Sequence, residues 1–502
     1  MIDTRRRTRR LVTLTAAGAL ALTAAVAPVA SAAEGDVVID LIGINDFHGR
    51  IDATPGAAVL AGAVNSFRAA NPNTLFVSGG DNIGASTFTS FIQQDRPTLE
   101  VLNAMQLDVS TLGNHEFDQG RADIDDRVLG LADFPYLAAN VIDRASGQPA
   151  YAPYDVQTVG GVRVGFIGAV TEDLPSLVSP GGIASLQVTS IVDSVNAVAD
   201  QLKDGDESNG EADVVVALVH EGPATAALAS STDTSAFGRI VSGLDGDVDA
   251  IFSGHTHVAF AHQIPVPGWP AGLTRPVVQA GQYGSHLAQV RLTVSADGDL
   301  VDATSAVVPV TAATYPADPT VAALVAAAVD AAAGPGNVSL GQITGSLRRA
   351  VQSTGAENRG GESTLGNLVA DVQLWAGQQT GSPQIAFMNP GGLRADLLYP
   401  SSGDPVIDPD GNVTYREAAT VQSFANTLVA MDLTGAQVRQ VLEEQWQPAG
   451  AARPFLKLGV AGLTYTYDPT AAAGARITEV RVGGAPLDAT ATYRVIVNSF
   501  LA

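Results

Sequence analysis

Short apolar runs rich in β-branched residues punctuate the first part of the chain. VVIDLIGIND (37–46), TLFVSGGD (74–81), VRVGFIGAV (162–170), DVVVALVHEG (213–222) and VDAIFSGHTH (248–257) each read as a buried strand. Each ends in a polar, glycine-containing loop, and helical periodicity often follows. Repeated strand, loop and helix from Val37 to about Pro309 predicts an α/β layered domain, where sites gather at the carboxyl ends of strands. The alanine-rich segment PTVAALVAAAVDAAAG (319–334) predicts a helix opened by proline and stopped by glycine. It sits between two strand-rich regions and reads as an interdomain connector. A second region begins near Val338, with a helix start in GGESTLGNLVADVQLWA, a loop in FMNPGGLRADL, and strands in GLTYTYDP and YRVIVNSF. The stop directly after NSFLA reads as a truncation.

The length of 502 residues suits two or three domains. With 46% apolar and 16% charged residues, the chain is that of a folded protein and not a disordered one. Its 51 acidic residues against 27 basic ones give a formal net charge of -24. Such a surface repels phosphate backbones and argues against nucleic-acid binding. A site for an anionic substrate must therefore make its own positive potential, from metal ions or a few arginines. There is no cysteine, so neither disulfides nor thiolate ligands are available. At the amino end RRRTRR precedes an apolar run that finishes in APVASAAEG, the pattern of a secretory signal over 1–33. No other stretch reads as a membrane span.

The stretch TLGNHEFDQG (111–120) places Asn114, His115, Glu116 and Asp118 between glycines. Alone it fits a solvated loop, a capped helix start, or one arm of a metal or catalytic site. Its setting argues for the last. Asp46 and His48 follow the first strand, Asp81 follows the second, His220 ends VVVALV, and His255 and His257 follow the last of the runs quoted above. Strand-end loops converge in such a sheet, and these carry a mixed nitrogen and oxygen donor set suited to two borderline divalent ions. Paired ions are a recurrent device for phosphoester cleavage. His115 reads as a second functional group, with Asp118 three residues on fixing its tautomer. Glu116 reads as structural.

The ordered set NDFHG, GGDN, GNHEFD, VHEG and SGHTH resembles that of the calcineurin-like metallophosphoesterases, in their 5'-nucleotidase and UDP-sugar hydrolase branch. The resemblance implies a four-layer α/β/β/α domain over 34–316, a connecting helix over 317–337 and a C-terminal α/β specificity domain over 338–502. It implies one ion at Asp46, His48, Asp81 and His257, a second at Asp81, Asn114, His220 and His255, and a catalytic dyad of His115 and Asp118. Zinc or manganese is the expected metal. Arg359, Asn389 and Arg394 fall where the family contacts phosphate or nucleoside, and Phe424 and Phe500 where two aromatics stack on the base. A Gly-Gly-Asp-Gly-Phe segment that the family carries further on is not in this sequence. The implied activity is hydrolysis of nucleoside 5'-monophosphates by an exported or cell-surface protein. Broader action on UDP-sugars or 2',3'-cyclic nucleotides is the alternative, and a secreted nucleotide-binding protein without turnover is the competitor from another class.

Overall fold

The apolar runs become inner strands of two sheets. The structure is a computed structural model that describes residues 35–502 apart from 425, 449, 450 and 452. The expected secretory signal lies outside the described residues. The chain enters with β1 (Val37–Ile44), β2 (Thr74–Ser78), β3 (Val109–Thr111) and β4 (Tyr136–Leu137). It continues through β5 (Tyr154–Val159), β6 (Val162–Val170), β7 (Val214–His220) and β8 (Ala250–Ser253). The region closes with β9 (Ala259–Ile264), β10 (Arg275–Ala280), β11 (His286–Val294) and β12 (Leu300–Pro309). Two six-stranded sheets result, ordered β12-β11-β1-β2-β3-β4 and β9-β10-β8-β7-β6-β5. β1 to β4 run parallel, as do β6, β7, β8 and β10, with antiparallel strands flanking them.

Why the central strands are apolar on both faces follows from the layers. Alternate residues of β1 point opposite ways. Leu41 meets Val77, Phe166 and Phe252 between the two sheets, whereas Ile42 joins Leu60, Val64 and Leu99 from helices Ala57–Ala70 and Arg96–Ala104. On the far side, Val215 and Ile251 pack on Val195 and Phe237 from helices Ile191–Leu202 and Ala236–Gly243. This is the α/β/β/α sandwich that the resemblance implied. The sheets approach closely at Gly43, where a Cβ would lie 2.6 Å from the Phe252 ring. Full burial of each such side chain stabilises by about 1.5–3 kcal/mol, and the sandwich makes a firm base for the loops at its end.

The second region has its own core. A four-stranded sheet, made of Leu428–Thr434, Thr492–Asn498, Ile385–Met388 and Gly459–Ala461, carries helix Thr364–Gln378 on one face through Leu365, Val369 and Ala370. Its other face packs Phe387, Val495 and Val497 on Val438 and Leu442 of helix Gly435–Glu443 and on Val480. The connecting helix runs from Pro319 to Gly336, past the glycine expected to stop it, with Pro335 inside its last turn. Asp318 caps it by accepting from the Thr320 and Val321 amides, each at 2.9 Å. It is docked on the first domain: Val321 and Ala328 enter that domain's core, and Ala332 meets Phe88 and Ala419 where the two domains touch. Among the described residues this is also the one helix long and apolar enough to cross a bilayer, a length signal that the sequence reading passed over.

Candidate active site

The carboxyl ends of β1, β2, β3, β7 and β8 open toward one another. His220 is the last residue of β7, and the others lie two to four residues beyond their strands. Their donor atoms approach closely. His257 Nε2 lies 3.1 Å from Asp46 Oδ1, and His220 Nε2 lies 3.1 Å from Asp81 Oδ2. Asn114 Oδ1 is 3.2 Å from His220 Nε2 and 2.9 Å from His255 Nδ1. His48 Nε2 stands 3.9 Å from Asp46 and 3.7 Å from Asp81. Ligands about 2.0–2.2 Å from one ion are spaced by roughly 3 Å or a little more, so these separations fit divalent metals. Asp46, His48 and His257 form one group able to hold an ion, and Asp46, Asp81 and His220 another. The ring orientations fit too: His48 Nδ1 faces the Gly84 carbonyl at 2.8 Å and His220 Nδ1 that of Gly79 at 2.7 Å, leaving each Nε2 for the centre.

The backbone is forced into this arrangement. Asp46, His48, Asp81, His255 and His257 all have positive φ, between 50° and 71°. Left-handed backbone is unfavourable for such residues and clusters at functional sites. Hydrogen bonds between loops hold it: Asp46 N–H to Gly80 O at 2.9 Å, His48 N–H to Asp81 O at 3.0 Å, and His255 N–H to Asp46 Oδ2 at 3.0 Å. Gly113 is required by proximity, since a Cβ there would meet Asp81 Oδ1 at 2.2 Å.

Glu116 has the structural role expected of it. Its carboxylate, 1% exposed, accepts from the amides of Gly113 at 2.7 Å, Asn82 at 2.8 Å and Asp81 at 3.0 Å, tying two strand-end loops together. Burial, then the nearby Asp81 charge, pushes its carboxyl up to about 7. Asn45 was missed. It donates to Asp46 Oδ2 and to the Gly281 carbonyl, both at 2.6 Å, and accepts from Ala280 N–H at 2.7 Å. Its position directly before Asp46 was the available signal.

His115 stands beside the metal-ligand set. Asp118 holds its Nδ1 with both carboxylate oxygens, at 3.0 and 2.9 Å, so that Nε2 is left to face the centre. Burial opposes charge on this imidazole, but the Asp118 and Asp81 carboxylates outweigh it and lift it to about 9. His48 goes the other way: burial dominates its carboxylate neighbours and lowers it to about 3, the neutral state a metal ligand needs.

From this centre a cleft of about 620 Å³ opens between the domains. Asn114, His115, Asp118 and His255 form its floor, and Arg359, Asn389, Phe424 and Phe500 of the second domain line its walls. Asn389 is held by Asn498 Nδ2 at 2.8 Å, and Arg359 by Glu357 at 3.0 Å. Phe424 stacks on the His115 ring, with centroids 5.7 Å apart and planes 19° from parallel. Arg394 is placed differently from the other expected contacts. It lines a smaller cavity instead of this cleft, with its guanidinium 5.5 Å from the Phe424 ring centroid.

Comparison with known proteins finds matches to both regions of the chain. The family model of calcineurin-like phosphoesterases matches residues 39–259, and that of the 5'-nucleotidase C-terminal domain matches residues 339–502. The chain belongs to the 5'-nucleotidase branch of the calcineurin-like phosphoesterases. Among its relatives, endonuclease YhcR of Bacillus subtilis is 28% identical over 94% of this chain and 38% of its own length. Cell wall protein Lmo0130 of Listeria monocytogenes is 28% identical over 94% of this chain and 64% of its own length. The chain thus spans less than two thirds of either protein. The crystal structure of a 5'-nucleotidase precursor from Thermus thermophilus is 28% identical, with a TM-score of 0.66 over 93% of this chain and 90% of that one.

Proposed function

We propose that this is an exported hydrolase of nucleoside 5'-monophosphates that works with two divalent ions, zinc or manganese. The observation that carries the reading is convergence: seven nitrogen and oxygen donors from five strand ends meet beside the His115–Asp118 pair, at the floor of a cleft walled by the second domain. Asp46, His48, Asp81 and His257 would hold one ion, and Asp81, Asn114, His220 and His255 the other. When bound, such ions supply charge stabilisation and a water nucleophile at neutral pH.

The chain's own groups do the rest. His115 Nε2–H donates first to a phosphoryl oxygen and then its proton to the departing 5'-oxygen as the bond to phosphorus breaks. Asp118 keeps the imidazole oriented and favours its cationic form. Asn114 supplies a donor without adding negative charge against an anionic substrate. Arg359 and Asn389 hold polar groups of the nucleotide, and Phe424 and Phe500 offer flat faces to the base. The cell-wall relative supports a place outside the cell. The endonuclease relative acts on a polyanion, for which a chain of net charge -24 is poorly suited.

The test is phosphate release from AMP, p-nitrophenyl phosphate and UDP-glucose by metal-reconstituted protein and its His115→Ala variant. The expected result is good AMP turnover that collapses in the variant while both metals stay bound. Turnover of the aryl ester alone would leave the metal centre and remove nucleoside selection. Comparable cleavage of UDP-glucose would favour the broader hydrolase. No turnover with two metals bound would favour a nucleotide-binding protein.

A further inference from the structure

A second cavity, of about 310 Å³, lies at the domain boundary, and no residue lines both it and the larger cleft. Arg50 and Asp52 contribute from the loop after β1, and Arg394, Arg416, Thr420 and Ser423 from the second domain. In a chain of net charge -24, three half-buried arginines facing one space need an explanation.

Each guanidinium lies over an aromatic ring: Arg50 at 4.4 Å from the Tyr283 centroid, Arg416 at 4.8 Å from Phe88, and Arg394 at 5.5 Å from Phe424. Stacking occupies a face of the guanidinium and leaves its in-plane N–H donors free. Those donors are unused. Among the described residues none of the three forms an ion pair or a side-chain hydrogen bond, and Arg50 Nε is buried with no partner at all. Buried donors are nearly always satisfied, and three guanidiniums without a partner around one cavity point to a ligand. The one carboxylate of the cavity, Asp52, is already engaged by the Thr87 and Thr89 hydroxyls, at 3.2 and 2.5 Å. Tyr283 links the cavity to the metal centre. Its backbone is left-handed at φ 61°, its N–H donates to Asp46 O at 2.9 Å, and its ring lies edge-on to His48 and His257 at 5.9 and 5.7 Å.

We propose that Arg50, Arg394 and Arg416 form a second anion site, for a phosphate group beside the one at the metal centre. Guanidinium edges match phosphate oxygens in pairs, and three charges drawn from two domains suit a dianion. The phosphate is either the distal phosphoryl group of a nucleotide longer than a monophosphate or free inorganic phosphate. That choice of source, and the count of two phosphates that includes one at the metal centre, rest on the nucleotidase reading; the response to the arginine variants does not.

Calorimetric titration of the full metal-loaded chain with inorganic phosphate tests the site, using wild type, Arg416→Met, Arg416→Lys and Arg50→Met. Two phosphates per wild-type chain are expected. Either methionine variant should weaken one of them about tenfold or more and spare the other, with lysine intermediate. Kinetics with AMP and ADP then separates the sources. If Arg416→Met raises the KM of ADP and not that of AMP, the ligand is the distal phosphoryl group. If it relieves inhibition by phosphate and leaves both KM values alone, the ligand is free phosphate. A single phosphate site of equal affinity in all four proteins overturns the proposal. That result stands whether or not AMP is hydrolysed, so the two readings fail separately.

Discussion

The floor of the cleft and its walls are built on opposite plans. Directly beneath the floor, Asp46, Asp81 and His220 are almost wholly buried, at 0–1% exposure, and the loops are bound to one another through backbone amides. On the walls, Phe500 is 40% exposed, and Arg359 and Asn389 each rest on a single polar neighbour. A reaction centre must be organised before substrate arrives, because reorganisation during the chemical step raises the barrier. A recognition surface tolerates adjustment, and the contrast separates the cost of misplacing a donor atom from that of misplacing a ring.

Asp81→Ala should produce the largest loss. Changes in groups that merely orient metal ligands lower metal affinity or activity by about 10–100-fold, and loss of this carboxylate should exceed that for every phosphoester tested. Metal content per chain, measured alongside rates, checks it; full metal with near-normal rates would break the contrast at its stronger end. Glu116→Gln comes next. An amide presents one acceptor oxygen where two strand-end loops now share a carboxylate, so a roughly 10–100-fold loss in activity or metal affinity is expected, with the KM for AMP little changed. A variant that raised only KM would move Glu116 from the floor to the walls.

Phe500→Ala should raise the KM for AMP by about 2–10-fold, the worth of one aromatic pair, and leave p-nitrophenyl phosphate hydrolysis unaltered. Equal loss on both substrates would make the ring part of the floor. The smallest effect on turnover belongs to Asp249, just before β8 at the end of that strand away from His255. Burial raises its carboxyl to about 6. Between the ordinary aspartate value and about 6 the folded chain holds a proton that the unfolded chain has lost, so stability falls as pH rises through that window. Asp249→Asn keeps an acceptor for the Val215 amide, now 2.8 Å from the carboxylate. It should remove that slope and raise stability at pH 7 by up to about 3 kcal/mol, with kcat unchanged. Thermal unfolding across pH 4–7 would reveal it.

The same contrast explains what could be read before the fold was seen. The floor is written in short contiguous strings at the ends of apolar runs, so both the strands and their donors were legible. The walls come from residues far apart along the chain, matched by motif position only, and Arg394 faces another cavity than the one expected. Arg50 stands two residues after His48 and went unremarked, since its meaning depends on Tyr283 and Arg416, which no local pattern connects to it. Glu116 reads as structural, but what it supports was not legible because its partners are backbone amides, which carry no sequence signal. The connecting helix outran its glycine stop because its buried alanines dock on the first domain, and tertiary contact can outweigh a weak terminator.

The contact between Phe424 and His115 has a consequence for how the molecule behaves between turnovers. The ring expected to greet the base already leans on the imidazole expected to give up a proton, with the Arg394 guanidinium close by. A nucleoside that takes that face of Phe424 must part the pair, so binding of the base would also uncover the face of the imidazole. Until a base arrives, one face of that imidazole stays covered by the ring.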